Sequence, residues 1–381
     1  MNYSFLSPLR IIVGDGEILN IYDQVPSNSK NIVLFHGSSF SKKPVFQEIK
    51  KLFSNNKSLI PYCVASGEPC PESVDKAATF AAQSHADAII GIGGGSVMDT
   101  AKAVAALVTN GGKVIDYLEG VGTGKRVVQS PLPLILAPTT TGTGTEVTKN
   151  AVISSRSQGF KKSMRDDTML ADIAIIDPLL TEGLPRNVLA SSGMDAICQL
   201  VESYTTKNAN SITDALSLFH AKRAVDAIIP AYENDDKEAR TTLGVAAMVS
   251  GLTLANAGLG VAHGIASGLG ALFDIPHGIA CGILLPVSMR FNIERGVEKY
   301  ADLGELFIGK KFDTKKAACE AAIDYIEMLN EKLNIPKDLK DFKLTHADAI
   351  AVAETSTGSS MSKNPVPVSL DDSIAMMKSL I

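Results

Sequence analysis

Four residues in the second half of the chain have the types and spacing to hold a metal ion. Asp195 and Gln199 lie four positions apart in the run Ser191–Tyr204, so a helix would place their side chains on one face. His263 and His277 each precede a glycine, in Ala262-His263-Gly264 and Pro276-His277-Gly278. A carboxylate, an amide oxygen and two imidazoles converging on one point form a donor set for a divalent transition metal. Each residue also has an ordinary explanation. Ser192-Gly193-Met194-Asp195 fits a capping box that closes a helix N-terminus. Gln199 suits a helix surface, and a histidine beside glycine in an apolar stretch suits a core position bonded to backbone. The residues alone leave both accounts open.

Two loops in the first half have the chemistry of an anion site. Gly93-Gly94-Gly95-Ser96 follows the apolar run Ala88–Ile92 and precedes a helical pattern. Glycines let backbone amides approach a phosphate, and the helix start adds a favourable dipole. A tight turn needing glycine dihedrals reads the same way, and the run is not the G-x-G-x-x-G fingerprint. Pro138–Glu146 carries five threonines and two glycines in nine residues. At the end of a buried strand, its hydroxyls and amides suit a ribose or a phosphate, though a solvated loop with local threonine bonding is the alternative.

The elements that must position these residues change character midway. Apolar strand-like runs at 10–13, 31–35, 59–64, 88–92, 132–137, 147–154 and 174–177 alternate with helical patterns at 41–53, 71–84 and 99–108. That alternation predicts an α/β domain built on a parallel sheet, residues 1–178. From Pro178 onward long helical patterns rich in small residues predict an all-α domain, residues 179–381. At 381 residues two domains are the natural expectation.

Composition narrows the class. A formal charge of −5 with no basic cluster argues against nucleic acid or an anionic membrane as partner. Five cysteines without a C-x-x-C pair suit a reducing, cytoplasmic setting, and the N-terminal stretch shows no secretion signal. The uncharged run between Arg240 and His263 reads as a buried helix rather than a membrane span, because it is rich in Gly, Ala, Thr, Ser and Asn. His36, His85, His220 and His346 read as structural.

Taken in order, these motifs resemble the iron-containing (group III) alcohol dehydrogenase family. The resemblance runs through Gly93-Gly-Gly-Ser96 with Asp99, Ala137–Val147, Ala174–Pro178, Gly193-Met-Asp195, the two His-Gly pairs and the tail at Asn364–Leu370. It implies a dehydroquinate synthase-like architecture: a dinucleotide-binding α/β domain, an all-helical metal domain, and a cleft between them. It also implies reduction of small aliphatic aldehydes, or oxidation of the alcohols, with NAD or NADP and a divalent metal, Fe2+ or Zn2+. Members are commonly homodimers or larger.

By position, the resemblance makes Asp195, Gln199, His263 and His277 the metal ligands, with Asp195, His263 and His277 at the catalytic centre. Gly94, Gly95, Ser96 and Asp99 would hold the pyrophosphate and nicotinamide side. Thr139, Thr140 and Thr143 would line the cofactor groove, with Val152 and Lys161 near the ribose and nicotinamide. Two departures stand out: Gln199 occupies a place where the family usually has His, and Ser267 replaces a further histidine. In His36-Gly37-Ser38-Ser39-Phe40 no acidic side chain is present to bond a ribose 2′-hydroxyl. Gly37, Ser38 and Ser39 leave room for a 2′-phosphate, with Lys42 and Lys43 nearby, so NADP is slightly favoured. A maleylacetate reductase-like oxidoreductase, a non-redox enzyme resembling dehydroquinate synthase, and a nucleotide-binding protein with a decayed metal site are the alternatives.

Overall fold

Residues of strand β2 (Asn31–His36) point alternately into two different cores. Ile32 and Leu34 join Ile90, Ile92, Ile135 and Ala137 on one face of a sheet. Val33 and Phe35 join Ile89, Leu134 and Leu136 on the other. A strand buried on both faces reads as a continuous apolar run, as parallel strands covered by helices on each side do.

The computed structural model describes residues 3–53, 57–356 and 358–381; Met1 and Asn2, part of the N-terminal stretch read above, lie outside them. The described chain forms two compact units, one of Phe5–Glu182 and one of Gly183–Ile381 with residues 3–4.

The first unit contains, in order, β1 (Arg10–Val13), α1 (Ile21–Gln24), β2, α2 (Pro44–Leu52), β3 (Ser58–Cys63), α3 (Pro71–Gln83), β4 (Ala88–Gly93) and α4 (Gly95–Asn110). It continues with β5 (Leu134–Pro138), β6 (Asn150–Ser155), β7 (Phe160–Arg165), β8 (Ile173–Ile176) and α5 (Pro178–Thr181). Six strands form one sheet in the order β1-β8-β5-β4-β2-β3, every pair parallel. Val45, Phe46 and Ile49 of α2 cover one face. Ala77 and Ala81 of α3, with Met98, Ala101, Val104 and Ala105 of α4, cover the other. Pro61 sits within β3, which is tolerated because β3 is an edge strand. Helix α5 belongs to this unit; the Asp177 carboxylate that caps it also accepts from the backbone N–H groups of Gly16 and Ile18.

Several elements differ from the sequence expectation. Helix α4 starts at Gly95 rather than Asp99; glycine's poor helix propensity hides its first turn. The strand expected at 147–154 starts at Asn150, after a 3-10 turn at Thr145–Val147. It forms an antiparallel hairpin with β7 outside the main sheet. Lysines in Phe160-Lys-Lys-Ser-Met-Arg165 mask β7 in the sequence.

The second unit is built from α6 (Arg186–Thr205), α7 (Ser211–Asn234), α8 (Lys237–Ala257), α9 (Val261–Phe273), α10 (His277–Glu294), α11 (Tyr300–Ile308), α12 (Lys315–Lys332), α13 (His346–Thr355), α14 (Ser359–Lys363) and α15 (Leu370–Lys378). Among the described residues no single helix is long and apolar enough to cross a membrane. The uncharged run after Arg240 is divided between α8 and α9, a pair that passes by length and composition but is bent by 103°. Its residues are largely buried in the helical core.

Candidate metal centre and nucleotide loops

Asp195 lies in the middle of α6, whose N-cap is Pro185; the capping-box account of Asp195 therefore does not hold. Gln199 follows one turn later and is as buried as Asp195, each 3% exposed, so it is not a surface residue either. Its Oε1 accepts a hydrogen bond from Ser250 Oγ of α8 at 2.7 Å.

Helix α10 brings His277 to this face. His277 is its first residue, and the following Gly278 lies against α6 so closely that a Cβ there would stand 2.0 Å from the Ser191 carbonyl oxygen. The glycine of this His-Gly pair is a helix-packing requirement. The contact sets His277 Nε2 at 3.8 Å from Asp195 Oδ1.

His263 reaches the same carboxylate from the first turn of α9, with Nε2 3.2 Å from Asp195 Oδ1. Its Nδ1 is 2.7 Å from Glu202 Oε2. A carboxylate oxygen accepts, so Nδ1 carries a proton and Nε2 is the ring atom left to a metal. Glu202 also accepts from the backbone N–H groups of Ala262 and His263, so one carboxylate closes the α9 N-terminus and orients the imidazole. Carboxylates behind metal-binding histidines commonly play this part.

Two cysteines complete the cluster. Asp195, His263, His277 and Cys281 each offer a donor atom, all within 4.8 Å of one another. Cys198, Glu202 and His263 form a second group by the same measure. Burial disfavours the His263 imidazolium, yet Cys281, Asp195 and Glu202 outweigh it and hold its pKa well above the ordinary value. Cys281 moves the other way: burial would raise its thiol, but Cys198, His263 and His277 hold it well below its usual range. Burial pushes Cys198 up. The centre thus concentrates carboxylate, imidazole and thiol groups where little water enters.

The nucleotide-binding candidates gather elsewhere, within the sheet unit. From β2 the chain steps outward to β3, then returns to place β4 on the other side of β2. This is the switch point of an open parallel sheet, where ligands bind outside the strand C-termini. Gly37, Ser38 and Ser39 leave β2 there, and Ser38 and Ser39 are exposed. Gly94, Gly95 and Ser96 leave β4, and Thr139 and Thr140 leave β5. Thr139 N donates to Gly93 O at 2.9 Å, while Thr140 and Thr143 face Gly94 and Gly95. None of Gly93, Gly94 and Gly95 takes a positive φ, so turn dihedrals do not explain the run. Space does at Gly93, where a Cβ would stand 2.5 Å from the Val97 side chain.

The other candidates are placed less simply. The Asp99 carboxylate pairs with Lys102 at 3.3 Å, and the Val152 backbone N–H also favours its charged form. Burial pushes the Asp99 pKa up and that of Lys102 down. Lys161 forms an ion pair with Glu68. Lys43, counted above as near a 2′-phosphate, instead donates to the carbonyls of Leu180 and Glu182 at 2.9 and 2.7 Å. Those carbonyls end α5 and are satisfied by the ammonium.

Sequence reasoning missed several residues. Glu202 stands three positions after Gln199, on the face that carries Asp195, and this spacing was a usable signal. Cys198 and Cys281 gave no signal beyond the latter's i,i+4 offset from His277. Lys102, fully buried, donates to the carbonyls of Thr145, Thr148 and Asn150 and to Thr148 Oγ1. Glu146, 1% exposed, has its pKa raised to about 7 by burial, against the pull of its own backbone N–H and Lys102.

Comparison with known proteins agrees with this architecture. The family described as iron-containing alcohol dehydrogenase matches residues 8–178, and that of the Fe-containing alcohol dehydrogenase C-terminal part matches residues 189–381. Alcohol dehydrogenase 4 of Saccharomyces cerevisiae is 33% identical over 298 residues, covering 78% of this chain and 76% of the yeast protein. The solved alcohol dehydrogenase from Oenococcus oeni is 28% identical with a TM-score of 0.92, covering 100% of both chains. Sulfoacetaldehyde reductase from Bifidobacterium kashiwanohense, solved in complex with NAD+, is 28% identical with a TM-score of 0.89, covering 100% of this chain and 99% of the other. The chain belongs to the iron-containing alcohol dehydrogenase family, and it is an oxidoreductase acting on alcohols.

Proposed function

We propose that the chain interconverts small aliphatic alcohols and their aldehydes, using a nicotinamide dinucleotide and a divalent metal held in the helical unit. The observation that carries this reading is the convergence of Asp195, His263 and His277 on one buried point. A carboxylate and two imidazoles are a fitting donor set for Fe2+ or Zn2+. The Gln199 amide oxygen is the donor that the sequence suggests for a fourth place. When bound, the metal supplies Lewis-acid polarisation of the substrate oxygen and the nicotinamide gives or takes the hydride.

The chain's own residues do the positioning. Glu202 holds His263 in one tautomer and orientation. The side chain of His277 is 30% exposed while those of Asp195 and His263 are nearly closed off, so substrate reaches the cluster on the His277 side. The convergence argues against the reading as a nucleotide binder with a decayed centre, which would have no reason to keep these donors together.

For the cofactor, the strand-end loops Gly37–Ser39, Gly94–Ser96 and Thr139–Thr143 form the proposed binding surface, with Asp99, Val152 and Lys161 beside it. The relative solved with NAD+ supports a nicotinamide dinucleotide. Exposed Ser38 and Ser39 carry no charge to repel a 2′-phosphate, which supports NADP as an accepted cofactor. A homodimer or larger assembly belongs to the same proposal: β1 is an edge strand of the sheet with an open side that a second copy can pair. The free cysteines fit a cytoplasmic setting.

The test is oxidation of NADPH and NADH with a panel of short aldehydes, on chelator-stripped protein before and after anaerobic Fe2+ or Zn2+. Turnover that returns only with metal, and that His263→Ala abolishes while nucleotide still binds, is the expected result. Full activity without metal refutes the reading.

A further inference from the structure

We propose that Cys281 is a thiolate ligand of this metal, taking the fourth protein position that the sequence suggests for Gln199. This rests on the metal reading above. Bonds of about 2.0–2.3 Å place tetrahedral donors about 3.3–3.8 Å apart. Asp195 Oδ1 lies 3.2 Å from His263 Nε2 and 3.8 Å from His277 Nε2, and Cys281 Sγ lies 3.7 Å from His277 Nε2. These three separations are of the length of tetrahedral edges, and all four donor atoms lie within 4.8 Å of one another.

Position on α10 explains how the sulfur arrives. Cys281 is one turn after His277, so both side chains leave the helix on the same face. Gly278 seats that face on α6. Cys198 is not equivalent, because its Sγ is 3.7 Å from Nδ1 of His263, the ring nitrogen turned to Glu202 and away from Asp195. Gln199 offers only an amide oxygen, a weaker donor to a borderline metal than a thiolate, and that oxygen lies 2.7 Å from the Ser250 hydroxyl.

A thiolate changes which ion the site prefers. Sulfur is a softer donor than imidazole or amide oxygen, and it favours Zn2+ among available divalent ions. The consequence for this chain is a centre with higher affinity for Zn2+ and Co2+ than a site of one carboxylate and nitrogen or oxygen donors alone.

The experiment loads chelator-stripped protein with Co2+, reads bound metal by equilibrium dialysis, and records near-ultraviolet thiolate-to-cobalt charge-transfer absorption. The expected result is one cobalt per chain with that absorption in the wild type, kept by Cys198→Ser and Gln199→Ala. Cys281→Ser and Cys281→Ala lose it, and their Zn2+ affinity falls by at least the roughly 10–100-fold that an outer-shell change costs. If neither Cys281 variant folds, X-ray absorption of the zinc-loaded wild type decides, with one sulfur at about 2.3 Å expected. Absorption that survives in Cys281→Ser overturns the assignment, as does a zinc spectrum without sulfur. Cobalt bound without thiolate absorption overturns the Cys281 ligand and leaves the metal reading standing. A wild type that binds no cobalt overturns both.

Discussion

The carboxylate of Glu202 on α6 meets His263 on α9 twice, at the ring Nδ1 and at the backbone N–H, and it also accepts from the N–H of Ala262. One buried side chain therefore satisfies helix-end donors that packing has cut off from water and fixes the direction of an imidazole. Glu202→Gln keeps the shape but loses the charge and offers an N–H where two donors already point. The expected outcome is a fall in metal affinity of roughly 10–100-fold, read by competition with a chromogenic chelator. Glu202→Ala should in addition lose about 1–3 kcal/mol of stability in urea unfolding, because the freed N–H groups remain buried. Unchanged metal affinity in both variants would remove Glu202 from the centre.

Gly278 acts through packing alone. A methyl group at this position would meet the Ser191 carbonyl oxygen and carbon, which are backbone atoms of α6 and cannot turn aside. Gly278→Ala is expected to cost about 1–3 kcal/mol and to move His277 away from Asp195. Metal affinity should fall although no donor has been removed. A variant that unfolds at the wild-type urea concentration and binds metal normally would show that the two helices have slack.

What the sequence disclosed and what it hid follow from the range of the interactions. The parallel sheet was legible because Asn31–Phe35 and Ala88–Ile92 are continuous apolar runs ending in glycine, a local pattern with a local cause. The shared face of Asp195 and Gln199 was legible for the same reason. The relation of Cys281 to Asp195 was not, since it depends on α10 seating on α6. Lys102 was equally opaque. A lysine in an alanine-rich helix reads as a solvated position, and it is the Asp99 carboxylate, the Thr148 hydroxyl and the carbonyls of Thr145, Thr148 and Asn150 that make its burial tolerable.

Cofactor preference can be tested at the loop after β2. Ser38 and Ser39 are exposed, and the ammonium of Lys43 is bound to the carbonyls of Leu180 and Glu182. Accommodation of a 2′-phosphate then depends chiefly on the absence of negative charge there. Ser39→Asp introduces that charge, and a like-charge contact of even about 1.4 kcal/mol is a tenfold effect. The variant is expected to lose at least about tenfold in kcat/KM with NADPH while NADH changes little. Equal loss with both cofactors would place the 2′ position away from Ser39.

Glu146 gives the chain a pH-dependent stability whose sign is determined. Its carboxyl has an ordinary value of 4.5 and is raised to about 7 in the folded protein by burial. Between those values the folded chain holds a proton that the unfolded chain has released, so stability falls as pH rises through the window. Below it both states are protonated and the effect vanishes; above it the cost is complete. A shift of this size corresponds to about 3 kcal/mol. Glu146→Gln removes the titration, so its stability relative to wild type should rise by about 3 kcal/mol between acid conditions and pH 8. Urea unfolding of both proteins across that range measures the difference. A difference that stays flat with pH would mean that the charge of Lys102 offsets burial and leaves the Glu146 carboxyl at its ordinary value in the folded protein.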